Sequence, residues 1–255
     1  MSGLSRSSHA LVTGGGRGIG REIASSLVQA GATVTVLGRN RQALDDLVAA
    51  GVAHHAVIAD VADQAAMNSA IAEAAARQPI DILIANAGAA ESAPFGKTDA
   101  AVFKRMMDVN FMGVVHAAQA VLRPMVQRKQ GRIVAIASTA GLKGYSYVSA
   151  YCAAKHAVVG LVRSLALEVA SSGVTVNAVC PGFTDTDLVV GSIDNIMSKT
   201  GRSRDEAVAE LAKHNPQARL VTPAEVANAV LWLCSPGASL VVGVALPVDG
   251  GYTAR

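Results

Sequence analysis

The stretch from His9 to Gly20 limits the possible folds of this chain more than any other. His9-Ala10-Leu11-Val12-Thr13 reads as a strand, and Gly14-Gly15-Gly16-Arg17-Gly18-Ile19-Gly20 comes directly after it. Arg21 to Ala30 then has helical spacing, with Ile23, Ala24, Leu27 and Val28 on one face, and Gly31 ends it. A strand that enters a helix through glycines leaves bare backbone N–H groups at the positive end of that helix. No side chain there keeps an anion away. The spacing is G-x-x-x-G-x-G. In isolation it would be a Gly-rich turn, and it gains meaning from the rest of the chain.

Beyond Gly31 the chain alternates regularly. Strands are predicted at 33–37, 56–59, 80–85, 132–137, 174–179 and 244–248. Helices are predicted at 41–50, 63–77, 99–128 and 149–171, and another opens at Pro223. Alternating strands and helices imply an α/β chain with a doubly wound parallel sheet between two helical layers, joined by right-handed crossovers. No repeat, low-complexity tract or linker divides the 255 residues, so one domain is expected. The polar stretch 185–215 directly follows the end of a strand, where ligands sit in such sheets, and reads as an insertion that lids the site. Hydrophobic residues are 51% and aromatics 4%, which suits a buried sheet under Ala-rich helices.

The chemistry centres on Tyr151-Cys152-Ala153-Ala154-Lys155. Residues four apart on a helix share a face, so an ammonium lies beside a phenol. Free tyrosine titrates near ~10, and a neighbouring cation favours phenolate, which would tune Tyr151 for proton transfer to or from an alcohol oxygen. Ser138 ends the fifth predicted strand thirteen residues earlier, and its hydroxyl can hold a substrate oxygen beside the phenol. Asn110 sits in an Ala/Val/Met-rich helix, where a buried amide needs partners. A kink or a bound water would satisfy it, and such a water would extend a proton path from Lys155.

Two arginines bear on the cofactor. Dinucleotide sites that prefer NAD carry an acid about 20 residues past the glycine loop, where it holds the ribose 2′-hydroxyl. Here the second strand ends Leu37-Gly38-Arg39 with no acid. Arg39, joined by Arg17 from the glycine loop, can pair with a 2′-phosphate instead. This predicts NADP(H) in preference to NAD(H).

Taken together, Thr13-Gly14-x-x-x-Gly18-x-Gly20, Asp60, Asn86-Ala87-Gly88, Asn110, Ser138, Tyr151-x-x-x-Lys155 and Pro181-Gly182 resemble the short-chain dehydrogenase/reductase superfamily over the whole chain. One departure is that the usual Asn-Asn-Ala-Gly reads Ala85-Asn86-Ala87-Gly88. The resemblance implies a Rossmann-type fold, a nicotinamide cofactor and a catalytic tetrad of Asn110, Ser138, Tyr151 and Lys155. Under it, Gly14, Arg17, Gly18, Ile19 and Gly20 meet the diphosphate end. Asp60 and Val61 flank the adenine, and Asn86, Ala87 and Gly88 run beside the adenine ribose. Lys155 binds the nicotinamide ribose, with Tyr151 beside it. Pro181, Gly182, Phe183, Thr184 and Thr186 pass the nicotinamide and diphosphate. The family also implies a homotetramer built on the long helices.

For substrate, the resemblance points to the 3-oxoacyl reductase, 3-hydroxyacyl dehydrogenase and carbonyl reductase branches. Members that clamp a hydroxybutyrate carboxylate use polar residues where Ala89, Ala90, Ala140 and Val148 stand here. Tyr145, Tyr147, Leu188 and Val189 suggest an apolar pocket, with Tyr145 and Leu188 joining Ser138 and Tyr151 around the substrate. A 3-oxoacyl thioester, such as a coenzyme A thioester, is the first expectation, and a small or aryl ketone the next. An NAD-dependent 3-hydroxy acid or secondary alcohol dehydrogenase is the alternative, with a non-catalytic nucleotide-binding regulator behind it. Gly201-Arg202-Ser203-Arg204 reads as a solvated loop or as a contact for an anionic substrate tail.

Other classes find little support. The net charge of +3 comes without a dense basic cluster, so no nucleic-acid partner is expected. No apolar run reaches a membrane span. Six histidines without ligand spacing predict no metal site. Cys152, Cys180 and Cys234 form no disulfide framework, and with the short polar Met1 to His9 they suggest a reducing, cytoplasmic setting. Cys152 and Cys180 read as small buried hydrophobes rather than nucleophiles.

Overall fold

The computed structural model describes residues 8–254, apart from the Leu188 side chain. Its strands are β1 (His9–Thr13), β2 (Thr33–Gly38), β3 (His55–Ile58), β4 (Ile82–Ala85), β5 (Gly131–Ile136), β6 (Val174–Pro181) and β7 (Ala245–Val248). They form one sheet in the order β3-β2-β1-β4-β5-β6-β7, and every pairing is parallel. The helices are α1 (Gly18–Gln29), α2 (Arg41–Ala49), α3 (Gln64–Arg77), α4 (Ala100–Met107), α5 (Gly113–Arg128), α6 (Ser149–Val169), α7 (Asp187–Thr200), α8 (Arg204–Ala212) and α9 (Pro223–Cys234).

Alternation within each strand divides the core into two layers. Leu11, Leu37, Leu83 and Ile133 pack on one face with Met67 of α3, Val121 of α5 and Val158 and Val162 of α6. Val12, Val36, Ile84 and Val134 pack on the other with Ile23 and Leu27 of α1 and Val226, Val230 and Leu233 of α9. Both faces are covered, so the strands read as near-continuous apolar runs. Helix starts follow local chemistry. Asp63 Oδ1 accepts from Ala66 N at the start of α3, and Thr222 and Glu225 form a capping box around Pro223 at the start of α9.

Strand order reverses between β1 and β4, so the loops leaving their C-terminal ends diverge and open a crevice. The predicted elements are present, most with ends shifted by one or two residues, and some of the differences have a visible cause. β4 begins at Ile82 rather than Ile80, after Asp81, whose carboxylate accepts from His9 N. β6 runs on to Pro181, because that residue still pairs in parallel with Val248. The helical stretch predicted over 99–128 is interrupted by a π-helical turn at Asp108–Met112.

Candidate active site

The glycine loop is shaped by close approach. Gly14 and Gly18 have φ of +63° and +51°, a region that side chains disfavour. A methyl group on Gly20 would lie 2.3 Å from the Gly14 carbonyl oxygen. Asn86 braces the loop from the end of β4, its Nδ2 donating to the carbonyls of Thr13 (3.0 Å) and Gly14 (3.1 Å). The Thr13 hydroxyl accepts from the Asn86 and Ala87 N–H groups. No side chain caps α1, and no acid lies in its first turn. Its free N–H groups and bare glycine loop fit the diphosphate of a dinucleotide.

Arg39 and Asp60 stand at neighbouring strand ends, with Arg39 Nη1 3.5 Å from Asp60 Oδ2. Arg17 Nη1 lies 3.9 Å from Asp187 Oδ2 at the start of α7. Neither ion pair is legible in the sequence. Nothing local marks Asp187, which faces Arg17 only because the α7 start folds back over the glycine loop. Val61 is fixed from α5, where the His116 ring meets its carbonyl at 2.9 Å. Ile19 packs its side chain into the core layer of α1.

The π turn places Asn110, which is fully buried. The added residue per turn aims its amide inward. Nδ2 donates to the carbonyls of Ala89 (2.9 Å) and Met106 (3.0 Å), and Oδ1 accepts from Ala89 N (3.2 Å). The amide is thus satisfied by the loop after β4, and the expected kink takes the form of a π turn. A methyl on Gly88 would sit 2.8 Å from Asn110 Oδ1 and 3.6 Å from Lys155 Nζ, so the three residues share one tight corner.

Ser138, two residues past the end of β5, caps the turn Thr139–Gly141, its Oγ accepting from Ala140 N at 3.1 Å, and its hydroxyl faces the Tyr151 phenol. Lys155 is buried and donates to the Ile136 carbonyl at 2.8 Å. Its Nζ lies 5.7 Å from the Tyr151 ring centre. The expectation that Lys155 lowers the Tyr151 pKa is not met. Burial pushes the phenol up to about 12, opposed by the Ser138 hydrogen bond, and Lys155 is not among the causes. Partial exposure of Tyr151 softens that penalty without reversing it. Burial also lowers Lys155 to about 8. Desolvation disfavours the charged form of each.

Pro181, Gly182, Phe183, Thr184 and Thr186 lead from β6 to α7. The Thr184 hydroxyl donates to Gly182 O, and the Thr186 hydroxyl donates to Thr184 O. Tyr145 hydrogen-bonds Thr139 at 2.6 Å and meets Phe183 edge-on, 6.0 Å between ring centres. Tyr147 does not join it: its side chain is 63% exposed on a backbone with φ of +69°. The Leu188 side chain lies outside the described residues. His214 and Tyr252, from the end of the 185–215 stretch and the C-terminal segment, stand with Tyr145 and Phe183 around one crevice. Only the fold brings these four rings together. No metal-binding cluster of His, Cys, Asp or Glu occurs among the described residues, and none of their helices is long and apolar enough to span a membrane.

A family model described as short chain dehydrogenase matches residues 8–215. The chain is a short-chain dehydrogenase/reductase. It is 39% identical to cis-4-hydroxycyclohexanecarboxylate dehydrogenase of Sinomonas cyclohexanicum over 251 residues, 96% of each chain. It is 40% identical to galactitol 2-dehydrogenase (L-tagatose-forming) of Cereibacter sphaeroides over 250 residues, 96% of this chain and 94% of that one. Among solved structures, a variant of actinorhodin polyketide ketoreductase with NADPH aligns at a TM-score of 0.94 and 34% identity, covering 99% of this chain and 100% of the other. As a short-chain dehydrogenase/reductase with a Rossmann-type sheet, the chain is an oxidoreductase acting on carbonyl or alcohol groups.

Proposed function

We propose that this short-chain dehydrogenase/reductase is an NADP(H)-preferring ketone reductase whose substrate is a 3-oxoacyl thioester or a ring ketone. Asn110, Ser138, Tyr151 and Lys155 are its catalytic set. The observation that carries the reading is the buried Lys155, bonded to the Ile136 carbonyl with its Nζ 5.7 Å from the Tyr151 ring centre, in a fold whose glycine-loop helix is uncapped. A substrate oxygen beside Tyr151 receives a hydrogen bond from Ser138 and a proton from Tyr151. With its pKa near 12 the phenol keeps that proton across the physiological range, which is the state reduction requires. Lys155 keeps one N–H on Ile136 O and has others free for the nicotinamide ribose. Asn110 holds the loop after β4 in place through Ala89. The nicotinamide, when reduced, supplies the hydride.

Arg17 and Arg39 read the 2′-phosphate, with Gly38 leaving room where an acid would repel it. Residues 185–215 act as a lid: Val189, Ile193, Ala207 and Leu211 form a small core of their own, against which Phe183 packs. The relative named for a hydroxycyclohexanecarboxylate supports a ring substrate. We also read the protein as cytoplasmic, in keeping with three free buried cysteines, and as a homotetramer. Leu167 and Leu240, 81% and 95% exposed, provide apolar surface for a second copy to cover. Light scattering on the eluting protein tests the assembly.

A panel of ketones and 3-oxoacyl thioesters, run with NADPH and NADH, tests the activity. Tyr151→Phe keeps the shape and removes the transferable proton, and it should cut kcat by roughly 10²–10⁴. Near-wild-type turnover by the folded variant would refute the assignment.

A further inference from the structure

Lys143 lies five residues past Ser138, beyond the short turn Thr139–Gly141, and its N–H bonds the Thr139 carbonyl at 3.0 Å. Its ammonium sits 4.0 Å from the centre of the Tyr252 ring. That ring is itself held in place, packing against Tyr145 at 5.9 Å and against His214 at 5.4 Å. Behind it, Asp249 pins the C-terminal segment. Its carboxylate accepts from Gly251 N (2.9 Å), Thr253 N (2.9 Å) and the Thr253 hydroxyl (2.7 Å). Arg219, which lines the crevice beside Tyr252, is committed to Glu225 at 2.6 Å. Among the described residues no carboxylate comes within ion-pair distance of Lys143. A ring face orients an ammonium without using up its N–H groups, which remain available to an anion.

We propose that Lys143, seated on Tyr252, binds an anionic group of the substrate while the carbonyl end reaches Ser138 and Tyr151. The proposal rests on the reductase reading above and narrows its substrate class. Where related hydroxybutyrate enzymes clamp a carboxylate with polar residues, the chain has Ala89, Ala90, Ala140 and Val148, whose side chains cannot hold one. The anion therefore stands away from the carbonyl, separated by a ring or by several carbons. Tyr145, which packs against both Phe183 and Tyr252, follows Lys143 by two residues on the segment that leaves Ser138. A ring carboxylate and the phosphate of a thioester carrier share this chemistry.

The test uses the holoenzyme with NADPH and two matched pairs. One is 4-oxocyclohexanecarboxylate and its neutral methyl ester; the other is acetoacetyl-coenzyme A and its neutral N-acetylcysteamine thioester. One charge-assisted contact at a half-exposed site gives the anionic member of the favoured pair a KM about tenfold lower. Lys143→Met should erase that advantage by raising the anionic member's KM, and Lys143→Arg should keep it. The pair that shows the effect identifies whether the anion is a ring carboxylate or a carrier phosphate. If wild type treats both pairs alike, or Lys143→Met weakens charged and neutral members equally, the proposal is overturned. Saturation-transfer NMR on NADPH-bound Tyr151→Phe reads binding without turnover. Selective binding of an anionic ketone that wild type never reduces would sink the reductase reading and leave the anion subsite standing. Turnover without discrimination would sink the subsite alone.

Discussion

Replacing Gly38 by Asp together with Arg39 by Leu should turn the proposed cofactor preference around. The new acid fits, because a methyl at Gly38 would meet nothing closer than Leu44 Cδ1 at 3.6 Å. The arginines set the size of the effect. Arg39 is 77% exposed and Arg17 75%, each with one acidic neighbour at 3.5 and 3.9 Å. Charge-assisted hydrogen bonds contribute roughly 1.5–3 kcal/mol, but exposed ion pairs only about 0.2–1 kcal/mol. Arg39 belongs near ~1 kcal/mol, since a phosphate must draw it from Asp60 and water screens the contact. Repulsion between the new carboxylate and the phosphate adds about as much again. The sum, ~2 kcal/mol, is about thirtyfold in kcat/KM for NADPH. For NADH the carboxylate can accept from the ribose 2′-hydroxyl, so kcat/KM should hold or improve. Initial rates with each cofactor, at low and high ionic strength, measure this, and the wild-type preference should shrink with salt. Wild type that already favours NADH, or a double variant that loses both cofactors equally, would refute the assignment of the arginines to the phosphate.

The same geometry sets other outcomes. Gly88→Ala pushes a methyl to 2.8 Å from an Asn110 Oδ1 that is tied to Ala89, so it should cost ~1–3 kcal/mol of stability and lower kcat; unchanged melting and unchanged kcat would show that the corner is slack. In the cofactor-free protein Tyr151 should remain protonated to about pH 12, so ultraviolet titration of wild type and Tyr151→Phe should coincide below about pH 10. A wild-type component that titrates near neutrality would contradict the burial argument. Lys155 falls from 10.5 to about 8 on folding, so between those values the unfolded chain binds the extra proton and stability rises with pH. The unfolding free energy of wild type relative to Lys155→Met should therefore grow by roughly 1–3 kcal/mol from about pH 7.5 to about pH 10. A flat difference would mean that the buried amine is well solvated.

The order of elements and the residues at strand ends could be read along the chain, because both are local. Periodicity marks which face of an element is buried, and the glycine loop, Asn86-Ala87-Gly88, Ser138 and the Tyr151/Lys155 spacing each lie within one strand end or one helix turn. The π turn at Asn110 was not legible: α-helical and π-helical turns share their residue preferences, and the choice is made by the Ala89 backbone, distant in sequence, that the amide must satisfy. Tyr151 shows the same limit in its electrostatics. Spacing places an ammonium one turn away, but a pKa is set by everything around the group, and only packing shows that burial is the largest cause. The crevice depends on packing most of all. Lys143, Tyr145, Phe183, His214 and Tyr252 come from separate stretches of the chain, and no short-range pattern links them. They meet because β6 and β7 end side by side and the C-terminal segment, pinned by Asp249, brings Tyr252 against Tyr145 and His214.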